Sequence, residues 1–391
     1  MRLRRLLYLG PQGMAAYHWL GGTLSREAVF PSTESGVQEF AAHLAQHSRA
    51  TFALLVNAAD EGFQVETIPY LRGADRRRVI ERRIAQTFLD PPLGAAVSLG
   101  HEKTRRKDER LLLAALGNPV FFQPWLNALR AAKVALSGIH SLPFVASALL
   151  RKLRVPPEPC LLLSVQDQSL RQSFYHHGGL RFSRLTLLPH GDFDAIAQGF
   201  SAEADKLRQY LVSQGLLENG APIVAHLLAH PDAFAAIRGV CAGTPTLRFN
   251  VLDLADCARR LGLKTVPRDT RADGLFLHLL ATRPPGVQFA DDDLRHGFRI
   301  ARLRSLLLGV GAAILAVCLL LSGVSLFDAH RIARETAALR EEAALARRQY
   351  DDVVRTFPSV PIDNETLGKV IDRYLVEEKR GTLPIGLYRE I

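Results

Sequence analysis

Residues 160–188, CLLLSVQDQSLRQSFYHHGGLRFSRLTLL, read as three strands joined by two tight turns. The first run, 160–165, is continuously apolar, as suits a strand buried on both faces of a sheet. A polar turn leads into 169–176, and Gly178-Gly179 turns the chain into 180–188. The same order stands at the beginning of the chain: a strand at 6–9, a Pro-Gln-Gly turn, a strand at 14–20, Gly21-Gly22, and a strand at 24–30. Pro156, Pro157 and Pro159 punctuate the join just before the second copy. Strand, turn, strand, glycine turn, strand therefore occurs twice, and the repetition predicts an internally duplicated domain over 1–285 with halves 1–155 and 156–285.

Helices and strands alternate around these meanders. In the first half the pattern predicts a helix at 37–46, a strand at 51–57, a basic helix at 75–88, strands at 95–99 and 111–116, a helix at 119–132 and a strand at 134–139. In the second half it predicts a helix at 195–214, a strand at 222–228, a helix at 231–241 and a strand at 246–252. Alternation of this kind defines an α/β fold.

Beyond the duplicated region, residues 305–327 (SLLLGVGAAILAVCLLLSGVSLF) carry no charged side chain. At about 1.5 Å of rise per residue the run is roughly 34 Å long, enough to cross a hydrocarbon core of about 30 Å. A buried core helix is the competing reading, but such helices seldom run so long without a charge. Arg295, Arg299, Arg302 and Arg304 precede the run, whereas Arg331, Arg334 and Arg340 follow it with Asp328 and Glu335 among them. Basic residues hold the cytoplasmic end, so the large N-terminal region is expected in the cytoplasm. The opening MRLRRLLYLGPQG agrees, because its apolar stretch at 6–9 is too short for an export signal.

The net charge of +10 raises the question of nucleic acid. The basic residues are mixed with acids, as in RRRVIERR at 76–83 and KTRRKDER at 103–110, without the aromatic interleaving that single-strand binders use. A solvated helix face near anionic head groups accounts for them, and nucleic acid is not expected as a partner. Cys160, Cys241, Cys257 and Cys318 show no CxxC pair and predict neither a zinc site nor a disulfide framework. His176-His177 reads as a hairpin tip rather than a metal pair, and no metal is expected. Asp291, Asp292 and Asp293 read as acids at the start of a helix, where they favour the positive end of the dipole.

Several phrases carry a resemblance: the opening meander, the segment 72–88 leading to RLLLAAL, SGIHSLPFVASALLRKL at 137–153, GGLRFSRLTLL at 178–188 and EADKLRQYLVSQG at 203–215. Over about residues 1–280 the chain resembles the cytoplasmic PilM and GspL type proteins of type IV pilus and type II secretion systems. The resemblance implies the duplicated actin-like ATPase (ASKHA) fold. Such folds grip phosphates with two hairpin loops, each with an Asp and a Gly near a strand end. Here the first loop, LYLGPQGMAAY, offers Gly10, Gln12 and Gly13 but no acid. The second, LLLSVQDQSL, has Ser164 where the family has Asp and Gln166 where it has Gly, with Asp167 shifted toward the turn. The segment VAHLLAHPDA lacks the glycines of an adenosine loop. These departures imply a degenerate nucleotide site, no cofactor, no catalytic residue and no enzyme activity. GxxxxGK[ST], HExxH and GxSxG motifs are also missing from the sequence.

After the apolar run, Ile332, Thr336, Leu339, Ala343, Ala346, Tyr350, Val353 and Phe357 alternate in spacing between four and three. That is a heptad seam, and it predicts a coiled coil over 328–357 that joins two copies or two different proteins; a single amphipathic helix is the alternative. A helix at 365–378 and TLPIGLYREI at the end resemble the entry to the small periplasmic domain of PilN and GspL type proteins. Residues 358–391 are therefore expected to be the start of such a domain, incomplete or completed by a partner. The expectation for the whole chain is a single-pass inner-membrane component of a pilus or secretion assembly platform. Residues 291–327 would form the juxtamembrane and membrane helix, linking an assembly ATPase and platform proteins to periplasmic partners. An actin-like ATPase with a divergent nucleotide site is the alternative. A signal transducer is disfavoured because no kinase or cyclase motif is present.

Overall fold

The computed structural model describes residues 5–103, 106–188, 192–356 and 363–381. Two compact units divide the chain, Met1–Leu307 and Leu308–Ile391.

The first unit opens with β1 (Arg5–Gly10), β2 (Gly13–Leu20), β3 (Thr23–Pro31), α1 (Glu34–Gln46) and β4 (Thr51–Val56). An inserted segment follows: β5 (Glu61–Ile68), α2 (Gly73–Phe88), β6 (Leu93–His101) and β7 (Glu109–Leu116). The chain then returns through α3 (Pro119–Ala132), β8 (Ala135–Ser141) and α4 (Leu142–Lys152). The second half contains β9 (Cys160–Gln166), β10 (Ser169–His176), β11 (Gly179–Leu187), α5 (Phe193–Ser213), β12 (Ile223–Ala229), α6 (Phe234–Val240), β13 (Leu247–Asp253), α7 (Leu254–Leu261) and α8 (Asp273–Thr282).

The duplication is explicit in the strand order. The first sheet runs β3-β2-β1-β4-β8 and the second β11-β10-β9-β12-β13. In each, the opening meander is antiparallel and the remaining two strands are parallel to the first strand of the meander. Central strands β4 and β9 are buried along their whole length, which is why TFALLV and CLLLSVQ show no alternation. The inserted segment forms its own sheet, β5-β7-β6, backed by α2 through Ile80 and Ile84.

Gly13 is required by geometry. Its φ is +136°, and a Cβ there would stand 2.2 Å from the Phe30 carbonyl oxygen, so the hairpin closes only over a hydrogen.

Four elements differ from the sequence reading. Strand β5 and helices α4, α7 and α8 are not foreseen by periodicity. Helices α4 and α8 are apolar nearly all round, since α8 buries Leu275, Phe276, Leu277, Leu279 and Leu280 in the core that also holds Leu6 and Leu54. A helix without a polar face has no 3.6-residue signal to detect.

The segment after α8 is bound to the first half. The Phe289 amide donates to the Ile139 carbonyl at 2.8 Å, and His140 Nδ1 meets the Val287 carbonyl oxygen at 2.9 Å. Phe289, Ala290 and Leu294 are buried. Asp291 and Asp293 pair with Arg130, and Asp292 pairs with Arg77 and Arg299. The three acids stand just ahead of α9 (His296–Thr356), where the Asp291 carboxylate accepts from the Leu294 amide at 2.8 Å. Gly297 lies so close to the end of α3 that a Cβ would come within 2.9 Å of the Val134 carbonyl oxygen. The first compact unit thus includes the opening turns of α9.

Helix α9 is 61 residues long and contains the apolar run, long and apolar enough to cross a membrane. In the second unit it continues through Ile332, Thr336, Leu339, Ala343, Ala346, Tyr350 and Val353, all exposed in the single chain. Phe357 lies outside the described residues, as do residues 358–362 and 382–391. Between these, α10 (Asn364–Gly381) is helical and covers the helix expected at 365–378.

Candidate functional site

The two meander turns meet at one cleft between the halves. Gln12 and Gly13 from the β1–β2 turn, Asp167 from the β9–β10 turn, and Tyr8, Asp269, Arg271 and Asp273 line a space of 280 Å³. Its position follows from the fold, because both turns sit at the same end of equivalent strands in the two sheets.

Asp273, the first residue of α8, supplies a perturbed carboxyl in this cleft. Its Oδ2 accepts from the Asp167 amide at 3.3 Å, the Tyr8 hydroxyl hydrogen-bonds to the carboxyl, and its buried Oδ1 has no hydrogen-bond partner. Burial pushes the carboxyl up to about 6. Because the folded value lies above the ordinary 3.8, the charged form costs stability, and the cost grows as pH rises from about 4 to about 6. Asp273→Asn is therefore expected to leave the melting temperature unchanged near pH 4 and to raise it at pH 8. A melting curve equally shifted at both values would remove burial of the charge as the cause.

Below the turns the six residues singled out by sequence separate into two groups. Gly10, Gln12, Gly13 and Asp167 belong to the turns, with Asp167 in the left-handed region at φ +50°. Ser164 and Gln166 are buried, and Gln166 Nε2 donates to Ser164 Oγ at 2.6 Å. That bond occupies one acceptor site of the hydroxyl at the position where the resemblance expects a carboxylate.

The floor of the interface between the halves is polar and charged, a feature with no counterpart in the sequence reading. Arg171 of β10 is fully buried. Its Nε donates to Asn57 Oδ1 at 3.0 Å, its Nη2 to the Ala58 carbonyl at 2.7 Å, and its Nη1 to Glu61 Oε2 at 3.2 Å. Glu61 also accepts from the Ser141 hydroxyl. Asn57 Nδ2 reaches both Tyr8 Oη and Ser169 Oγ at 3.2 Å. Burial pushes the Glu61 carboxyl up to about 7 against the pull of Arg171, and burial likewise lowers the Arg171 guanidinium. A guanidinium from one half is thereby seated among acceptors of the other.

Hydrated Mg²⁺ requires carboxylates or other oxygen ligands facing the phosphates. Ser164 is committed to Gln166, and Glu61 is committed to Arg171 and Ser141. Among the described residues no group of three or more His, Cys, Asp and Glu could hold a metal ion. Asp167, Asp269 and Asp273 are the carboxylates that line the cleft, and Asp269 is paired with Arg271. The His176 and His177 rings stack at 4.1 Å at the β10–β11 hairpin, as a hairpin tip.

No local signal in the sequence marks Arg171, Glu61 or Asn57, because the partners are separated by more than 100 residues. Asp273 had one faint sign, an acid immediately ahead of an apolar run.

No family model matches the chain, and no curated protein matches it. Among solved structures, the PilM-PilN type IV pilus biogenesis complex is 14% identical, with 72% of this chain and 99% of that chain covered, at a TM-score of 0.49. A Bacteroides thetaiotaomicron protein with actin-like ATPase fold and unknown function is 9% identical, with 67% and 96% covered and a TM-score of 0.38. The cytoplasmic domain of EpsL, an inner membrane component of the type II secretion system of Vibrio cholerae, is 12% identical, with 70% and 98% covered and a TM-score of 0.34. At these identities likeness bears on fold alone. The twice-repeated strand order, three antiparallel strands followed by two parallel ones, makes this a mixed α/β chain of the actin-like ATPase fold. To that fold it adds one long apolar helix.

Proposed function

We propose that this chain is an inner-membrane platform component of a type IV pilus or type II secretion type machine, with a structural role and no nucleotide hydrolysis of its own. The observation that carries the reading is the bound segment 287–297. The apolar run begins only eight residues after this segment, in the same helix whose first turns pack on the first half. A flexible tether would suffice for an anchor, whereas segment 287–297 is held to the first half by backbone hydrogen bonds and a buried ring. PilM, PilN and GspL type proteins are the platform relatives that the reading draws on.

In this reading the N-terminal region is cytoplasmic, residues 305–327 cross the membrane, and the seam from Ile332 to Phe357 pairs with a second copy or a related partner in the periplasm. The cytoplasmic partners are the assembly ATPase and neighbouring platform proteins.

Two measurements test this. Titration of the full chain in detergent with Mg-ATP is expected to show neither heat nor turnover; micromolar binding with hydrolysis would establish the ATPase alternative. A reporter that is active only in the periplasm, fused after Phe357, is expected to be active, and cytoplasmic activity at that position would reverse the orientation.

A further inference from the structure

The part of α9 that follows the apolar run has no packing partner among the described residues. Ile332, Leu339, Tyr350 and Val353 are each more than half exposed, and every residue from Arg331 to Thr356 lies open in the single chain. Residues alternately four and three apart occupy the a and d positions of a heptad, and that assignment fixes which residues flank them. With Thr336, Ala343 and Tyr350 at a, the g positions just ahead of them are Glu335, Glu342 and Gln349. With Ile332, Leu339, Ala346 and Val353 at d, the e positions just after them are Ala333, Arg340, Arg347 and Val354. Each charged g residue is therefore acidic and each charged e residue basic.

Inside one chain these charges are hardly used. Arg331 reaches Glu335 at 3.8 Å, between two side chains that are both mostly exposed, and such a pair contributes little. Arg340, Glu342 and Arg347 make no ion pair among the described residues. In a parallel pair of helices, a g residue of one lies beside the e residue five positions further along the other. Two copies of this chain thus set Glu335 beside Arg340 of the second copy and Glu342 beside its Arg347, and the two-fold axis makes each contact twice. An antiparallel pair sets g beside g and e beside e, which opposes Glu to Glu and Arg to Arg. A parallel pair slipped by one heptad keeps only half of the contacts.

Membrane geometry asks for the same arrangement. Two copies whose residues 305–327 cross one bilayer enter the seam from the same side and at the same depth, so their helices run parallel and in register. Thr336, Ala343 and Ala346 make the seam itself slight, so packing alone does little to choose a partner, and the choice falls to the flanking charges.

We propose that residues 332–353 pair with the same residues of a second copy of this chain as a parallel, in-register coiled coil, selected by Glu335–Arg340 and Glu342–Arg347 contacts between copies. This rests on the reading that residues 305–327 cross a membrane and that the seam is an interface. To that reading it adds the identity of the partner, its direction and its register.

The test uses the full chain in two forms with different affinity tags, co-expressed and extracted in a neutral detergent. Purification through one tag is expected to recover the other form, and native mass spectrometry to give the mass of two chains. Glu335→Arg with Glu342→Arg leaves only basic charges beside the seam, and Arg340→Glu with Arg347→Glu leaves only acidic ones. Each reversed chain alone should lose self-recovery at least ten-fold, and co-expression of the two reversed chains should restore it. Restoration also shows that both reversed chains fold. An antiparallel pair would be indifferent to either reversal, because its like charges stay alike, so unchanged recovery overturns the proposal, as does a mixture that fails to pair. A wild type recovered only as single chains overturns pairing with a second copy and leaves the seam to a different protein. Leu339→Asp with Val353→Asp separates this proposal from the reading beneath it. Wild-type recovery in that variant overturns the seam itself, whereas loss there without any effect of charge reversal overturns the charge-selected register alone.

Discussion

Arg171→Ala is expected to destabilise the first unit by about 3–5 kcal/mol, because it leaves Glu61 buried without its counter-charge. For a unit of this size the melting temperature should fall on the order of 10 °C. The comparison that identifies the cause is Arg171→Met combined with Glu61→Leu. Replacing both members of a buried pair by apolar groups of similar volume is commonly neutral or stabilising, so the double variant should recover most of the loss. Arg171→Lys should not, since a single ammonium cannot reach Asn57, the Ala58 carbonyl and Glu61 together. If the double variant melts as low as Arg171→Ala, the ion pair is not what holds the two halves together. This result also bears on function, because the double variant removes the buried guanidinium from the interface between the halves. Should that variant acquire Mg-ATP binding that the wild type lacks, Arg171 would stand as the group that excludes nucleotide.

Phe289→Ala carries the second large effect. The Phe289 ring is buried against Phe144, with centroids 6.0 Å apart, in the core shared with β1 and β4. Deleting a buried Phe costs about 3–5 kcal/mol. The exposed ion pairs of Asp291, Asp292 and Asp293 contribute at most about 1 kcal/mol each, so they cannot hold the segment without the ring. The loss should therefore appear as local opening. Hydrogen exchange at Phe289 and Leu294 is expected to accelerate at least a hundred-fold, with exchange in β4 and β9 little changed. Gly297→Val, which drives a side chain into the Val134 carbonyl oxygen, should produce the same pattern. Uniform acceleration throughout the unit would show that the segment is part of one cooperative core and not a separable joint.

Much of the architecture was legible along the chain because its signals are local. Gly-Gly turns and continuous apolar runs expose the two meanders, and the helices α1, α2, α3 and α5 show themselves by amphipathic spacing. Strand β5 was hidden because EGFQVETI, at the edge of the three-stranded sheet, mixes polar and apolar residues without a clear period. Helices α4 and α8 were hidden for the opposite reason, being surrounded by core on nearly every side.

The candidate site was legible only in its outline. The departures at Ser164 and Gln166 are visible in LLLSVQDQSL, but what replaces the expected chemistry is not. Arg171 in RQSFYHH reads as an ordinary polar position of a strand, and its burial exists only because Asn57, Ala58 and Glu61 arrive from another sheet. The sequence by itself determined the duplicated meander and the one long uncharged run, since backbone turn chemistry and hydrocarbon thickness act on consecutive residues. Only the tertiary structure decided that Arg171 is seated among acceptors of the other half and that the segment 287–297 is bound to the first half. Both depend on partners brought together across more than a hundred residues.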